Sequence, residues 1–231
     1  QAQNIETFIM VGMLGSVILT LILWPTHSRE GFLRKMVGIV MTFGIASGTN
    51  PIIMSMMPSS LLLMAQKRRF LNDVNLFWLT LLGISTVVLV YLYLPIRASH
   101  HPFINWYYIR EWKDLYTLAT GADLNIFVPE LDRINGFTGS PEVFIRSSKT
   151  YFNMLVNSFT IWLLPFMVMG AVWLYRRPQK FTFWTLSLVV LTNFIFAGLY
   201  KSGNQESWFI VSYLILSIFA GLGYFQLSQL L

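Results

Sequence analysis

Long apolar runs separated by three short basic clusters limit what this chain can fold into more than any other feature. A helix needs about 20 apolar residues to cross the hydrocarbon core of a bilayer, and runs near that length aggregate in water. The clusters hold nine of the 16 Lys and Arg residues. They are Arg29, Arg34 and Lys35; Lys67, Arg68 and Arg69; and Arg176, Arg177 and Lys180. The pattern predicts an all-α, polytopic transmembrane helix bundle.

Composition supports a membrane class and excludes several chemistries. Hydrophobic residues make up 55% of the chain and charged residues only 11%, against roughly 25% charged in a soluble domain. The absence of Cys excludes disulfides, Cys-based zinc sites and thiol nucleophiles. The net charge of +6 is explained by topology and lipid headgroups, so no nucleic-acid partner is expected. The start lacks the basic region of a signal peptide, and its abruptness is typical of a fragment of a longer chain.

The sequence divides into about seven apolar segments. The second and third are short and are joined by Gly48-Thr49-Asn50-Pro51, which predicts a tight helical hairpin, partly re-entrant. Its non-helical backbone must then be satisfied by protein or by a water-filled cavity. The segments run approximately over Glu6–Trp24, Met36–Ser47, Ile52–Ala65, Leu76–Pro95, Tyr151–Tyr175, Phe181–Tyr200 and Trp208–Leu227.

The basic clusters predict the orientation, because loops rich in Lys and Arg stay in the cytoplasm. The N-terminus and one long loop, residues 96–150, are then extracytoplasmic, and the C-terminus is cytoplasmic. The chain accordingly divides into first helices (1–95), an extracytoplasmic loop (96–150) and last helices (151–231). From Arg97 to Thr150 the loop holds six basic and six acidic residues, so it carries no positive excess.

The long loop is also the predicted site. Apolar and aromatic residues near Trp112, Leu115 and Tyr116 recur at close to helical spacing, which indicates an amphipathic helix on the membrane surface. Glycines and prolines between Thr120 and Pro141 favour turns. A loop held over a bundle at the outer leaflet is a natural place to bind a polar group that enters from the lipid.

One stretch resembles a known family. Tyr91-Leu92-Tyr93-Leu94-Pro95-Ile96-Arg97-Ala98, followed by Pro102-Phe103-Ile104-Asn105-Trp106, resembles the YLYLPLRA and NWGDP signature of the protein O-mannosyltransferase-like membrane family. That family was long catalogued as a domain of unknown function. Three further stretches, around Gln1 to Glu6, Gly44 to Leu63 and Asn193 to Gly223, resemble family segments in the same order.

The resemblance implies a GT-C architecture, in which a multi-helix glycosyltransferase uses a polyprenyl-phosphate sugar on the extracytoplasmic side. The family has its expected catalytic acid in the first extracytoplasmic loop, and this chain starts after that point. The family's SHH stretch is Gly48-Thr49-Asn50 here, and NWGDP is Asn105-Trp106-Tyr107-Tyr108-Ile109. Two accounts fit these departures: a divergent member without activity, and a portion of a longer enzyme.

Arg97 is the first candidate site residue, because a guanidinium binds phosphate through paired hydrogen bonds. The alternative is an interfacial Arg whose side chain reaches lipid headgroups. His100 and His101 offer a base or a phosphate donor near neutral pH. A solvated loop pair is the plainer interpretation, and neighbouring positions on a helix point too far apart to share one metal.

Five more residues complete the candidate set. Glu6 either complements the dipole of the first helix or orients an acceptor. Asn105 and Trp106 either bind and stack on a sugar or form a turn with an interfacial aromatic. Lys201 and Glu206 belong to a polar turn that is either a substrate-side loop, as family position implies, or a plain hairpin turn.

Two functions follow from these residues. The first is a glycosyltransferase that moves a sugar, mannose by resemblance, from a polyprenyl phosphate to a protein; its partners are membrane lipids, the lipid-linked sugar and the acceptor. The second is a non-catalytic structural subunit that contacts neighbouring membrane subunits. No metal-ligand spacing appears, so a divalent metal has no sequence support. A transporter has little support, since the two halves contain no inverted repeat.

Overall fold

The computed structural model describes residues 2–47, 51–99, 136–137, 140–177, 180–201 and 209–229. Within these, side chains are described at 9–47, 52–93, 96, 140–177, 180–199 and 209–229. This part of the chain contains seven α-helices and two short 3-10 helices, Pro51–Met56 and Arg68–Phe70. The α-helices are α1 (Ala2–Leu23), α2 (Arg29–Ser47), α3 (Met57–Gln66), α4 (Asp73–Ser99), α5 (Pro141–Arg176), α6 (Lys180–Leu199) and α7 (Ile210–Ser228).

Four of the described helices are long and apolar enough to cross a membrane. These spans are Asp73–Tyr93, Pro141–Arg176, Lys180–Leu199 and Ile210–Ser228, and two shorter apolar helices cover Ile9–Leu23 and Ile52–Gln66. The prediction of an all-α integral membrane protein is confirmed to this extent. Each predicted apolar segment overlaps one of the seven α-helices.

Several helices begin earlier than the apolar pattern predicted; α2, for example, starts at Arg29 rather than Met36. Two of these early starts have an identifiable local cause. Helix α4 starts at Asp73 rather than Leu76, because the Asn72 side chain accepts the backbone N–H of Asn75 at 2.8 Å and caps the first turn. Helix α5 starts at Pro141, since proline has the backbone angle of a first helical turn and loses no helical hydrogen bond there. Residues 141–150, which the sequence assigned to the long loop, are therefore helical.

The first two basic clusters lie together at one end of the bundle, the basic end. The Lys35 ammonium donates to the carbonyls of Ile22 at 2.9 Å and Trp24 at 2.8 Å, which joins the start of α2 to the end of α1. The Phe32 ring lies 5.8 Å from the Phe70 ring in the 3-10 helix that carries Arg68 and Arg69. The end of α1, the start of α2 and the residues after α3 are therefore neighbours.

The third basic cluster lies at the same end, because α3 and α6 run in opposite directions. Asn193 on α6 donates to Ser55 at 3.3 Å, whereas Ser59, one turn further along the chain, donates to the Thr185 carbonyl at 3.0 Å. The chain that leads towards the second cluster therefore runs alongside α6 towards its first residue, Lys180. The end opposite the basic end is where α4 ends and α7 begins.

Helices α5 and α7 approach each other backbone to backbone. A Cβ atom at Gly170 would overlap the Phe219 carbonyl oxygen, and a Cβ at Gly223 would overlap the Phe166 carbonyl oxygen. Small residues at such positions let two membrane helices come close enough for extensive dispersion contact. This approach fixes the halves of α5 and α7 that lie nearer the basic end.

Helix α5 is interrupted at Thr160, which has φ 56° and ψ 151°. This backbone conformation is occupied almost only by glycine, and for other residues it costs about 1–3 kcal/mol. The interruption divides α5 into two helical halves with different axes. The half before Thr160 leads to the end of the bundle opposite the basic end.

A short strand pair joins two connections at that opposite end. Residues Gly136–Phe137 form β1 and Tyr200–Lys201 form β2, which pair antiparallel with Gly136 opposite Lys201. The pair attaches the segment before α5 to the first residues after α6.

Candidate functional site

Aromatic rings from α5, α6 and α7 meet at the end opposite the basic end. The Tyr151 ring lies 4.8 Å from Phe209, 5.0 Å from Phe194 and 5.5 Å from Tyr213, with which it stacks. The Tyr213 hydroxyl also donates to the Tyr151 carbonyl at 3.2 Å. We call these four residues the aromatic cluster and this end the aromatic end. The cluster joins three helices at this end of the bundle.

Arg97 lies in the last turns of α4, and its side chain is outside the described side chains. The Tyr91 hydroxyl, on the same helix, donates to the carbonyl of Ser47 at 3.2 Å, so α4 is held beside the end of α2. Arg97 follows Tyr91 by six residues, a rise of roughly 9 Å along a helix. Its backbone therefore extends past the end of α2 at the aromatic end.

Glu6 and Lys201 belong to the same end by their backbones. Glu6 is in the second turn of α1, and a Cβ at Gly12 of that helix would lie 3.9 Å from the Ile210 side chain at the start of α7. Lys201 pairs with Gly136 in the short strand pair. The structure thus brings the backbones of Arg97, Glu6 and Lys201 to one end of the bundle.

The other predicted site residues lie outside the described residues. They are His100, His101, Asn105, Trp106 and Glu206. The predicted surface helix near Trp112 lies outside them as well. Their roles stay predictions. In the described stretches, no group of three or more His, Cys, Asp or Glu side chains is arranged to hold a metal ion.

A buried polar cluster joins the Pro51–Met56 segment to α6 and α7. The Asn193 side chain is fully buried; its amide N–H donates to Ser55, and its oxygen accepts from the Ser212 hydroxyl at 2.7 Å and the Ser212 backbone N–H at 3.1 Å. The Thr192 hydroxyl contacts the Ser55 carbonyl at 2.5 Å. Protein side chains therefore supply hydrogen bonds at Ser55. Residues 48–50 of the predicted hairpin turn lie outside the described residues, so the hairpin stays a prediction.

This polar cluster is suited to positioning rather than to proton transfer. Amide and hydroxyl groups donate and accept hydrogen bonds but do not act as bases near neutral pH. Sequence reasoning missed the cluster, although an Asn within an apolar membrane segment is a signal that it has a partner. The signal is incomplete, because Ser55 and Ser212 come from segments distant in sequence from Asn193.

Two open cavities lie along the first half of α5. The Lys149 cavity, of about 420 Å³, is lined by Phe144, Ile145, Ser148, Lys149, Phe152 and Asn153. The Phe194 cavity, of about 260 Å³, lies between α5, α6 and α7. Its lining is Tyr151, Phe152, Ser187, Val190, Leu191, Phe194, Leu216 and Phe219. The two cavities share Phe152 and differ in polarity, since only the first has a charged side chain.

Lys35 is a buried cation at the basic end. Its side chain is only 6% exposed. Burial, with a further contribution from the positive charge of Lys67, lowers the pKa of Lys35 from 10.5 to about 8. Two carbonyls at the end of α1 accept its hydrogen bonds, so the ammonium caps that helix as cations do at helix C-termini.

The chain matches no protein-family model, no curated protein and no solved structure.

Proposed function

We propose that this chain is a GT-C-like membrane glycosyltransferase, or part of one. It transfers a sugar, mannose by the family resemblance, from a polyprenyl-phosphate donor to protein on the extracytoplasmic face. The observation that carries the proposal is the Tyr91 to Trp106 signature, which begins inside an apolar membrane-spanning helix and continues past its end. A phosphate on a polyprenol lies at that depth, because its chain stays in the hydrocarbon core.

The basic clusters support the proposed orientation. All three lie at one end of the bundle, and the positive-inside rule assigns such an end to the cytoplasm. The aromatic end, with the backbones of Arg97, Glu6 and Lys201, then faces the extracytoplasmic side. This is the side on which the family resemblance implies sugar transfer.

The proposed reaction is a direct displacement at the anomeric carbon of the sugar. The acceptor hydroxyl oxygen bonds to that carbon while the bond to the donor phosphate oxygen breaks, and the phosphate leaves with the electron pair. A carboxylate, not assigned to a residue here, takes the hydroxyl proton. Arg97, with His100 or His101, stabilises the charge on the leaving phosphate.

The remaining candidates bind rather than react. Trp106 stacks on the sugar and Asn105 hydrogen-bonds its hydroxyls. Glu6 orients the acceptor, and Lys201 and Glu206 line the substrate-side turn. No divalent metal is required by this assignment, because cationic side chains are available for the phosphate.

The first test is the binding of a polyprenyl-phosphate mannose to the chain in lipid nanodiscs. We expect Arg97→Ala to weaken binding by roughly tenfold or more, the usual loss for a hydrogen bond to a charged group. Arg177→Ala, at the basic end, is the matched control and should bind as the parent does. Equal binding by the parent and Arg97→Ala would exclude the phosphate role of Arg97.

Sugar transfer itself is measured with a labelled donor and a Ser- and Thr-containing acceptor. The assay uses the longest chain that can be expressed, so that an upstream carboxylate is included where one exists. Labelled acceptor that depends on Arg97 supports the enzyme. Donor binding without transfer supports a binding role alone.

The alternative is a non-catalytic structural subunit of a membrane complex, and the exposed surface of α4 is compatible with it. Most of α4 is exposed, with large apolar side chains such as Phe77, Trp78 and Leu89 at the surface of the described chain. A neighbouring subunit can cover such a surface, as lipid can. Gentle extraction followed by mass measurement separates the two: a stoichiometric complex supports the subunit.

A further inference from the structure

Exposed cations from all three basic clusters lie at the basic end of the bundle. Phe32, in the same helix as the first cluster, contacts Phe70, which follows the second cluster. The chain that leads to the second cluster runs alongside α6 towards Lys180, which belongs to the third. We use the name basic surface for the exposed members that form no ion pair among the described side chains: Arg29, Arg68, Arg69, Arg176, Arg177 and Lys180.

The basic surface has few acids to balance it. In the described segments at this end the acids are Glu30 and Asp73, and Glu30 is already paired with Arg34. Burial, and then the positive charge of Lys67, lowers the pKa of Lys35, so the first two clusters act on each other electrostatically. Like charges held close together repel, and an anion bound among them offsets that repulsion.

Aromatic rings hold two of these cations in place. The Arg177 guanidinium lies 4.3 Å from the centre of the Trp173 ring. The Lys180 ammonium lies 5.5 Å from the centre of the Tyr175 ring. Such cation–π contacts restrict a long side chain without neutralising its charge. Part of the entropy that a side chain loses when it binds an anion is therefore lost before the anion arrives.

The basic surface lies at the depth of lipid headgroups. Arg176 ends one candidate membrane span, and Lys180 begins the next. Trp184, one turn further into α6, is 56% exposed. Exposed Trp side chains are typical of the boundary between headgroups and hydrocarbon. The cations on either side of the α5–α6 turn are therefore placed where the phosphates of a bilayer lie.

Each of these two cations belongs to a face that also carries an exposed apolar side chain. Lys180 precedes Trp184 by four residues on α6, and Arg176 follows Val172 by four residues on α5. Residues four apart lie on the same face of a helix. In both pairs the apolar member lies on the membrane side of the cation. A ligand that contacts both members needs an anionic head and an apolar body, and a phospholipid has both.

We propose that the basic surface binds anionic phospholipids of the adjacent leaflet, with headgroups at Arg176 and Lys180 and acyl chains against Val172 and Trp184. The inference is independent of sugar transfer, because the surface lies at the end opposite Arg97. It distinguishes phosphatidylglycerol from phosphatidylcholine, because the choline cation cancels the charge of its phosphate.

The test measures the binding of phosphatidylglycerol to the detergent-purified full chain by native mass spectrometry, with phosphatidylcholine of the same acyl chains as the reference. Arg176→Gln combined with Lys180→Gln is expected to weaken phosphatidylglycerol binding by roughly tenfold or more, because each cation near an anionic lipid is worth about a factor of five. Arg146→Gln combined with Lys149→Gln is the matched control, since it removes one Arg and one Lys from exposed positions near the start of α5. Equal binding by the two double variants overturns the inference, as does equal affinity of the parent chain for the two lipids.

The apolar part of the surface is tested separately. Trp184→Ala is expected to lower the affinity for phosphatidylglycerol by roughly threefold, because less apolar surface then covers the acyl chains. Trp162→Ala is the control: Trp162 is 79% exposed on α5 and belongs to neither pair. Circular dichroism checks that both variants are folded. An equal effect of the two substitutions contradicts the proposed position of the acyl chains.

Soluble competitors distinguish a lipid from a free anion. Glycerol phosphate and inorganic phosphate offer the same phosphate chemistry without acyl chains. Phosphatidylglycerol should stay bound in the presence of either one in excess. Displacement by inorganic phosphate at the concentration of the lipid would show a site for a soluble anion and refute the lipid assignment.

Discussion

Helix α4 and the pair α6 and α7 have similar apolar sequences but opposite surroundings. Within their most apolar windows, 6% of α4 residues are buried inside the chain, against 33% in each of α6 and α7. Only Leu79 is buried among the described side chains of α4. In a membrane, apolar side chains do not indicate a core, because lipid is as good a partner as protein. In a membrane helix, small and polar residues indicate a contact with other helices better than apolar residues do.

The largest expected difference comes from replacing one glycine of α7 and one glycine of α4 by alanine. Gly223→Ala should destabilise the chain by more than about 3 kcal/mol, because the new Cβ meets the backbone carbonyl of Phe166, which cannot move alone. Gly83→Ala on α4 meets only the end of the Val40 side chain, at 3.1 Å, and should change stability by less than about 1 kcal/mol. Unfolding in mixed detergent micelles measures both.

A control on α7 separates the clash from helix propensity. A Cβ at Gly221 has no heavy atom within 4 Å, so Gly221→Ala should be neutral or slightly stabilising. Comparable losses at Gly221 and Gly223 would contradict the close approach of α5 and α7.

The buried polar cluster around Asn193 predicts a smaller difference in unfolding free energy between the two regions. Asn193→Ala removes the partner of buried hydroxyls on Ser55 and Ser212, and the expected loss in unfolding free energy is about 1–3 kcal/mol. Ser85→Ala, at an exposed position on α4, should stay within about 0.5 kcal/mol. The same unfolding assay applies. If Asn193→Ala were as mild as Ser85→Ala, the cluster would not anchor the Pro51–Met56 segment.

The final test concerns pH and the α1–α2 contact. The pKa of Lys35 is about 8 in the folded chain, against 10.5 for an ordinary solvated lysine, so the unfolded chain binds more protons between these values. Stability should therefore rise as pH increases from about 8 towards 10.5, and this slope should disappear in Lys35→Met. Lys180→Met, an exposed lysine at the same end, is the control. A slope that persists in Lys35→Met assigns it to another group.

Sequence alone predicted the helices and the grouping of the basic clusters, because both depend on composition along the chain. It did not predict the start of α5 at Pro141, since Arg146 and Lys149 interrupt the apolar pattern while the backbone stays helical. It also missed the approach at Gly170 and Gly223, because a glycine in a membrane helix does not identify its partner.

The candidate site also has a part that the sequence predicted and a part that it did not. The motif around Arg97 was visible because its residues are consecutive, and its helix was predicted from the same apolar run. The Asn193 cluster and the Phe194 cavity combine residues from separate helices. These residues are distant in sequence and meet only in the folded chain, so the sequence pattern does not predict which of them are neighbours.

The interruption at Thr160 has a mechanical consequence for α5. The hydrogen-bond ladder is broken there, so the rod before it and the rod after it do not share one stiff axis. The later rod is clamped against α7 along its backbone, while the earlier rod carries Lys149. The earlier rod is attached to α7 separately, by the stacking and the hydrogen bond between Tyr151 and Tyr213, so the break lets each rod follow its neighbours along its own direction.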